Sequence, residues 1–208
     1  IVIGDTTADS NGAAMGLFAG RVSSVGVQRN IGRVADGPIG PTVMYMGAKK
    51  VEDVMDDVSA IHDKRYITPR TYVGRSGYYY SDDNMCCKAT DDYAQLANRR
   101  VIDKAYRIAY NTLLDYMLDE ITVNADGTMQ NAVLKSMQST VEQAINSQMT
   151  ANGELSADTT AGESGCQCLI DPSQNVLSTS TINVVLKVRP FGYARQIVVS
   201  LGFQVKTA

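Results

Sequence analysis

Thr181-Ile182-Asn183-Val184-Val185-Leu186-Lys187-Val188-Arg189, then Pro190-Phe191-Gly192, then Gln196-Ile197-Val198-Val199-Ser200-Leu201-Gly202-Phe203-Gln204-Val205-Lys206: this carboxy-terminal stretch decides the class of fold. In its first half Ile182, Val184, Leu186 and Val188 share one face, with Asn183, Lys187 and Arg189 on the other. In its second half Ile197, Val199, Leu201, Phe203 and Val205 alternate with Val198, Ser200, Gly202, Gln204 and Lys206. A period of two over that length predicts a pair of half-buried antiparallel strands, with Pro190, Phe191 and Gly192 as their turn. A long strand near a chain's end either completes its own sheet or is lent to a neighbour's. The alternation reads the same in both cases.

Working outward, residues 166–170 read as a short strand leading through Asp171-Pro172 into the terminal pair, and 154–165 as a small, polar loop. Before them lie two helices. Ala97, Val101, Ile102, Ala105, Ile108, Ala109, Leu113, Tyr116, Met117 and Ile121 make an apolar stripe that predicts a helix over about 92–123. Asp91 and Asp92 suit its start, and Asn124-Ala125-Asp126-Gly127 its stop. Val133, Leu134, Met137, Val141, Ala144, Ile145 and Met149 predict a second helix over about 129–150, ended by Asn152-Gly153. The short turn between the two predicts antiparallel packing. Further upstream, 66–80 is β-like, 51–65 is an amphipathic helix, 43–46 a strand, and 26–41 a Gly/Pro-rich extended connector. Residues 13–25 carry a modest helical pattern, and 1–4 read as a short strand. The predicted class is α+β: a mainly antiparallel sheet with two long antiparallel helices on one face and a terminal β-hairpin. Residues 1–41 form an amino-terminal segment and connector, and 42–208 one α+β domain.

At 208 residues the chain can bury a substantial core, and its composition of 44% hydrophobic and 20% charged residues is that of a globular protein. A net charge of −3 gives no basic balance for nucleic acid or an anionic membrane surface as a partner. No apolar run reaches the roughly 18 residues that span a bilayer, and no signal peptide is visible. The opening Ile1-Val2-Ile3-Gly4, without methionine, predicts a fragment of a longer chain.

Reactive constellations are scarce. Cys86-Cys87 and Cys166-Gln167-Cys168 lack the C-x-x-C spacing that wraps zinc, and His62 is the one histidine, so free thiols and no metal site are expected. Gly74-Arg75-Ser76-Gly77 departs from the G-x-S-x-G elbow, and a Ser76 nucleophile would need His62 as its base. Asp56-Asp57, Asp82-Asp83 and Asp91-Asp92 lack a calcium-loop pattern and are read as solvated faces and caps. Tyr78-Tyr79-Tyr80 must split its rings between both faces of a strand, which leaves at least one pointing outward unless a further layer covers it. Such a ring would be an interface anchor, while ordinary core packing is the competing reading. Gly37-Pro38-Ile39-Gly40-Pro41 has prolines where a phosphate loop needs N–H donors. No catalytic, cofactor-binding or metal residues are assigned, and the residues favour a non-enzymatic protein that makes contacts through backbone edges and aromatics.

Asn98-Arg99-Arg100-Val101-Ile102-Asp103-Lys104-Ala105 resembles the helix with paired arginines in the inner, tube-facing domain of contractile phage tail sheath proteins. The second helix, the small-polar loop, the Asp171-Pro172 to Asn175 segment and the closing hairpin follow in the same order, and Tyr72-Val73-Gly74-Arg75 falls where that family has a related strand. The resemblance spans about two-thirds of the chain, from residue 65 on. It implies a self-assembling subunit of a phage, prophage or injection-device sheath. Terminal strands would be exchanged between neighbours, and the tail tube protein would be a further partner. It also implies assembly in the bacterial cytoplasm, followed by residence in a virion tail or contractile injection particle. Complete sheath subunits are longer, and Cys86-Cys87 and the tyrosine run have no counterpart in the pattern. Two alternatives stand beside it: a small hydrolase using Ser76 and His62, and another, non-sheath phage structural component.

Overall fold

Residues 1–200 are described by a computed structural model, and their buried apolar side chains fall into three clusters. The first belongs to the amino-terminal part. Val2 makes a parallel bridge to Ile67 in place of the strand expected over 1–4. Helix α1 (Met15–Ser24) leans Leu17, Phe18 and Val22 onto this cluster. From the same helix Arg21 donates to the carbonyls of Ile31, Arg33, Asp36 and Gly37. That fan of bonds satisfies carbonyls which a Gly/Pro-rich segment cannot pair with itself. The expected connector over 26–41 is therefore pinned, and it buries Ile31 and Ile39.

Strands β1 (Tyr45–Met46) and β2 (Lys49–Lys50) form a short hairpin, followed by a 3-10 turn at Val51–Val54 and helix α2 (Met55–Asp63). Strands β3 (Pro69–Tyr72) and β4 (Arg75–Tyr80) pair antiparallel, with a register shift between Arg70 and Tyr72. All three tyrosines of β4 are buried, because both faces of the strand are covered. Tyr80 meets the edge of Phe18 from α1 at 5.8 Å, and Tyr78 donates to Glu52 Oε1 at 2.6 Å. On the opposite face Tyr79 meets Tyr72 at 5.4 Å. The reading of an outward ring as an interface anchor is thereby corrected in favour of core packing.

Helix α3 (Leu96–Leu114) is shorter than expected at both ends. Asp91 accepts the Tyr93 N–H at 2.8 Å and holds a turn before the helix. Leu118 in the left-handed region (φ 64) prevents continuation towards 123. Helix α4 (Asn131–Ile145) runs on as a π turn at Asn146–Thr150, which together match the expected second helix. Val101, Ala105, Ile108 and Ala109 of α3 face Val141, Ile145 and Met149 from the α4 region, and Val101, Val141, Ile145 and Met149 have no exposed surface. Full burial of such side chains is worth about 1.5–3 kcal/mol each.

Strands β5 (Cys166–Ile170) and β6 (Val184–Val188) pair antiparallel in five-residue register, from Cys166 opposite Val188 to Ile170 opposite Val184, with the single-turn helix α5 (Val176–Thr179) between them. Val184, Leu186 and Val188 rest on the helical layer while Val185 and Lys187 face out, as the alternation predicted. The fold is thus mixed helix and sheet, and among the described residues its three two-stranded sheets are antiparallel. Among the described residues the expected terminal hairpin is not formed. β6 takes β5 as its partner, and residues 189–200 form no strand. Leu201, Phe203 and Val205 of the expected last strand lie outside the described residues.

Candidate assembly interface

Beyond β6 the chain leaves the sheet as an arm. Arg189 still exchanges backbone bonds with Gly165 (2.8 Å) and Ser156 (2.9 Å). Farther on, Ile197, Val198 and Val199 are 79%, 80% and 71% exposed. Three consecutive β-branched apolar residues are thus exposed, and among the described residues their backbone groups have no hydrogen-bond partner.

The root of the arm is fastened. Tyr193 donates its hydroxyl to the Gln28 carbonyl, and Arg195 Nε donates to Asp82 Oδ2 at 2.8 Å. Burial pushes the Tyr193 phenol up to about 12. Asp82 and Asp83 follow the buried end of β4 and are themselves buried. Asn30 Nδ2 reaches both carboxylates, at 2.5 and 3.0 Å. Asp83 also caps α3 from outside: its Oδ2 accepts the Ala97 N–H and its carbonyl accepts the Leu96 N–H, each at 2.8 Å. This replaces the cap that Gln95 does not supply. Arg100, on the first turns of α3, donates to the carbonyls of Val25 (2.9 Å) and Gly26 (3.3 Å). One junction therefore joins the connector, β4, α3 and the terminal arm.

Its two carboxylates are driven apart electrostatically. Burial, with the neighbouring Asp82 charge, raises Asp83 to about 6, against the opposing Ala97 N–H. Burial pushes Asp82 upward too, but bonds from Asn30, the Asp83 N–H and Arg195 outweigh it and hold Asp82 below its ordinary value. Asp82 thus carries the charge that holds the arm. The pair is buried rather than on a solvated face, while the reading as a cap holds at Asp83. The available signal was its position at the end of a strand whose last three residues are aromatic.

A groove of about 910 Å³ opens between the arm root and the body, with Arg29, Arg33, Arg70 and Arg195 in its walls. His62 also lines it, and its buried Nδ1 has no hydrogen-bond partner among the described residues. Ser76 lies exposed on β4, outside this groove, and among the described residues no hydrogen bond joins it to His62. The four thiols are free: Cys86 is exposed, while burial raises Cys168 to about 11 and also raises Cys166. Among the described residues no group of three or more His, Cys, Asp and Glu could hold a metal ion, and no helix is long and apolar enough to cross a membrane.

Residues 2–84 match the family model described as DUF2586, N-terminal domain, and residues 92–208 match DUF2586, C-terminal domain. No curated protein matches the chain. Among solved structures the fold is similar to a chain of the anti-feeding prophage baseplate, seen by six-fold symmetrised cryo-EM. That match has a TM-score of 0.64 and 12% identity over 91% of this chain and 49% of the other. It is also similar to the anti-feeding prophage helical sheath in its contracted state, with a TM-score of 0.62 and 13% identity over 90% of this chain and 48% of that one. The chain thus spans about half the length of the structures it matches. The resemblance noted from residue 65 on extends, as a shared fold, over nearly the whole chain.

Proposed function

The chain belongs to the DUF2586 family, and on that premise we propose that it is a structural subunit of a contractile tail sheath or sheath-like injection device, joined to its neighbours by strand exchange. The observation that carries this reading is the arm, fastened at Tyr193 and Arg195 and presenting bare Ile197, Val198 and Val199 immediately afterwards. Its alternation continues in sequence to Val205. A backbone hydrogen bond nets only about 0.5–1.5 kcal/mol, but a lent strand makes several. Apolar side chains that such a strand buries add roughly 1.5–3 kcal/mol each. Two bodies linked this way can rotate relative to one another without parting. The shared fold with the anti-feeding prophage sheath supports this role, and a tail tube protein is the further partner it implies.

The similarity to the baseplate chain, equal in degree, supports a second reading as a closed-ring component. Assembly geometry separates the two, since a sheath stacks heterologous contacts into an open helix and a ring closes. Deleting residues 196–208 is expected to abolish polymers seen by negative-stain electron microscopy and light scattering, while the circular dichroism of the body is kept. Undiminished tubes after that deletion would sink strand exchange.

A further inference from the structure

The segment that ends α3 is costly in ways that the fold of one chain does not reward. Between Arg107 and Lys135 the sequence has no lysine or arginine, yet it places Asp115 at the carboxy-terminal cap of α3 and Asp119 and Glu120 in the segment just beyond. A carboxylate at that cap faces the negative end of the helix dipole. All three are exposed, and among the described residues none has a cationic partner. Between them Met117 is 67% and Leu118 98% exposed, and Leu118 holds φ 64. A left-handed leucine costs about 1–2 kcal/mol. The result is a leucine-tipped acidic knob.

The groove at the arm root has the opposite character. Arg29 and Arg33 are about half exposed and share the single carboxylate of Asp36. Arg195 is occupied by Asp82. Arg70 lies 4.5 Å over the Tyr72 ring, and its buried Nε has no partner among the described residues. Four guanidinium groups thus divide two carboxylates, beside apolar wall from Tyr72, Phe191 and Ile197. The charge and the apolar wall suit an acidic segment with an apolar tip.

The two surfaces belong to opposite ends of α3. Asp83, next to the groove residue Asp82, caps the first turn at Ala97, and Asp115 closes the last. A 19-residue helix separates those ends by about 28 Å. They cannot meet within one chain, but they can meet between copies, in a head-to-tail contact that repeats. Resting on the reading of this chain as an assembling subunit, we propose that the acidic knob at residues 114–120 of one copy seats in the arginine-lined groove of the next.

The test uses two reversals in the full chain, Asp119→Lys with Glu120→Lys and Arg29→Glu with Arg33→Glu, and reads the critical concentration for polymer by sedimentation. Each reversal alone is expected to raise it about tenfold or more, since like charges then face each other. A one-to-one mixture of the two reversed chains is expected to polymerise near the wild-type concentration, because each knob then finds an oppositely charged groove. Circular dichroism checks folding, with Arg33→Glu alone as the milder groove variant. Polymers unaffected by either reversal overturn the knob-and-groove contact and leave the assembly reading intact. So does a mixture of folded chains that stays unassembled. A wild-type chain that never polymerises overturns both.

Discussion

Replacing Arg195 with methionine keeps much of the side chain's length and removes its charge, and the structure fixes what this should cost. Asp82 is left with 7% side-chain exposure and no cation, beside a second buried carboxylate. Breaking a fully buried pair costs about 3–5 kcal/mol. The Arg195 side chain is 44% exposed, however, so water reaches it and screens the interaction. The expected loss is about 1–2 kcal/mol, or a fall of about 2–4 °C in Tm per kcal/mol for a chain of this size. A double-mutant cycle with Asp82→Asn, followed by urea denaturation, should return a coupling of about 1 kcal/mol. Asp82 is held below its ordinary value, so this contribution is present above that value and lost as pH falls through the lower one. In parallel, limited proteolysis should cut residues 189–200 faster in R195M than in wild type, because the arm has lost its ion pair to Asp82. Effects that add within about 0.3 kcal/mol, with unchanged proteolysis, would refute the junction as the anchor of the arm.

Other consequences are as direct. Asp83 sits near 6 rather than 3.8, so folding favours its protonated form. Its destabilisation is absent below pH 3.8, grows as pH rises to about 6 and is complete above, which makes Asp83→Asn more stable at neutral pH by up to about 3 kcal/mol. Urea titrations at pH 4 and pH 7 that show the same difference between variant and wild type would contradict this. Gly32→Ala would put a Cβ 2.5 Å from the Tyr80 carbonyl oxygen, a backbone atom that cannot swing aside, and should cost about 1–3 kcal/mol in urea denaturation. Exposed Cys86 should react fast with a chromogenic disulfide at pH 8, while buried Cys168 should react only after unfolding. Equal rates for the two thiols in the folded protein would count against the β5 packing.

Much was legible in the residues alone, because it depends on short-range period. The stripes through Val101 to Ala109 and Leu134 to Ile145 specify two helices that need one another, and Val184, Leu186 and Val188 specify a strand face. Those signals survive any tertiary arrangement, so the mixture of helix and sheet could be read directly. Helix ends could not be, since the α3 start depends on a carboxylate 14 residues upstream. Whether Tyr79 is outside or inside depends on what covers its face, and the Tyr72 ring on the paired strand lies against it. The acid pair Asp82-Asp83 looks like any solvated pair until Asn30, Ala97 and Arg195 arrive from three separate parts of the chain. Pairing of β6 is the sharpest case. Alternation records that a strand's face will be covered, never by which partner, and only the three-dimensional chain assigned β6 to β5 and left Ile197 to Val199 bare.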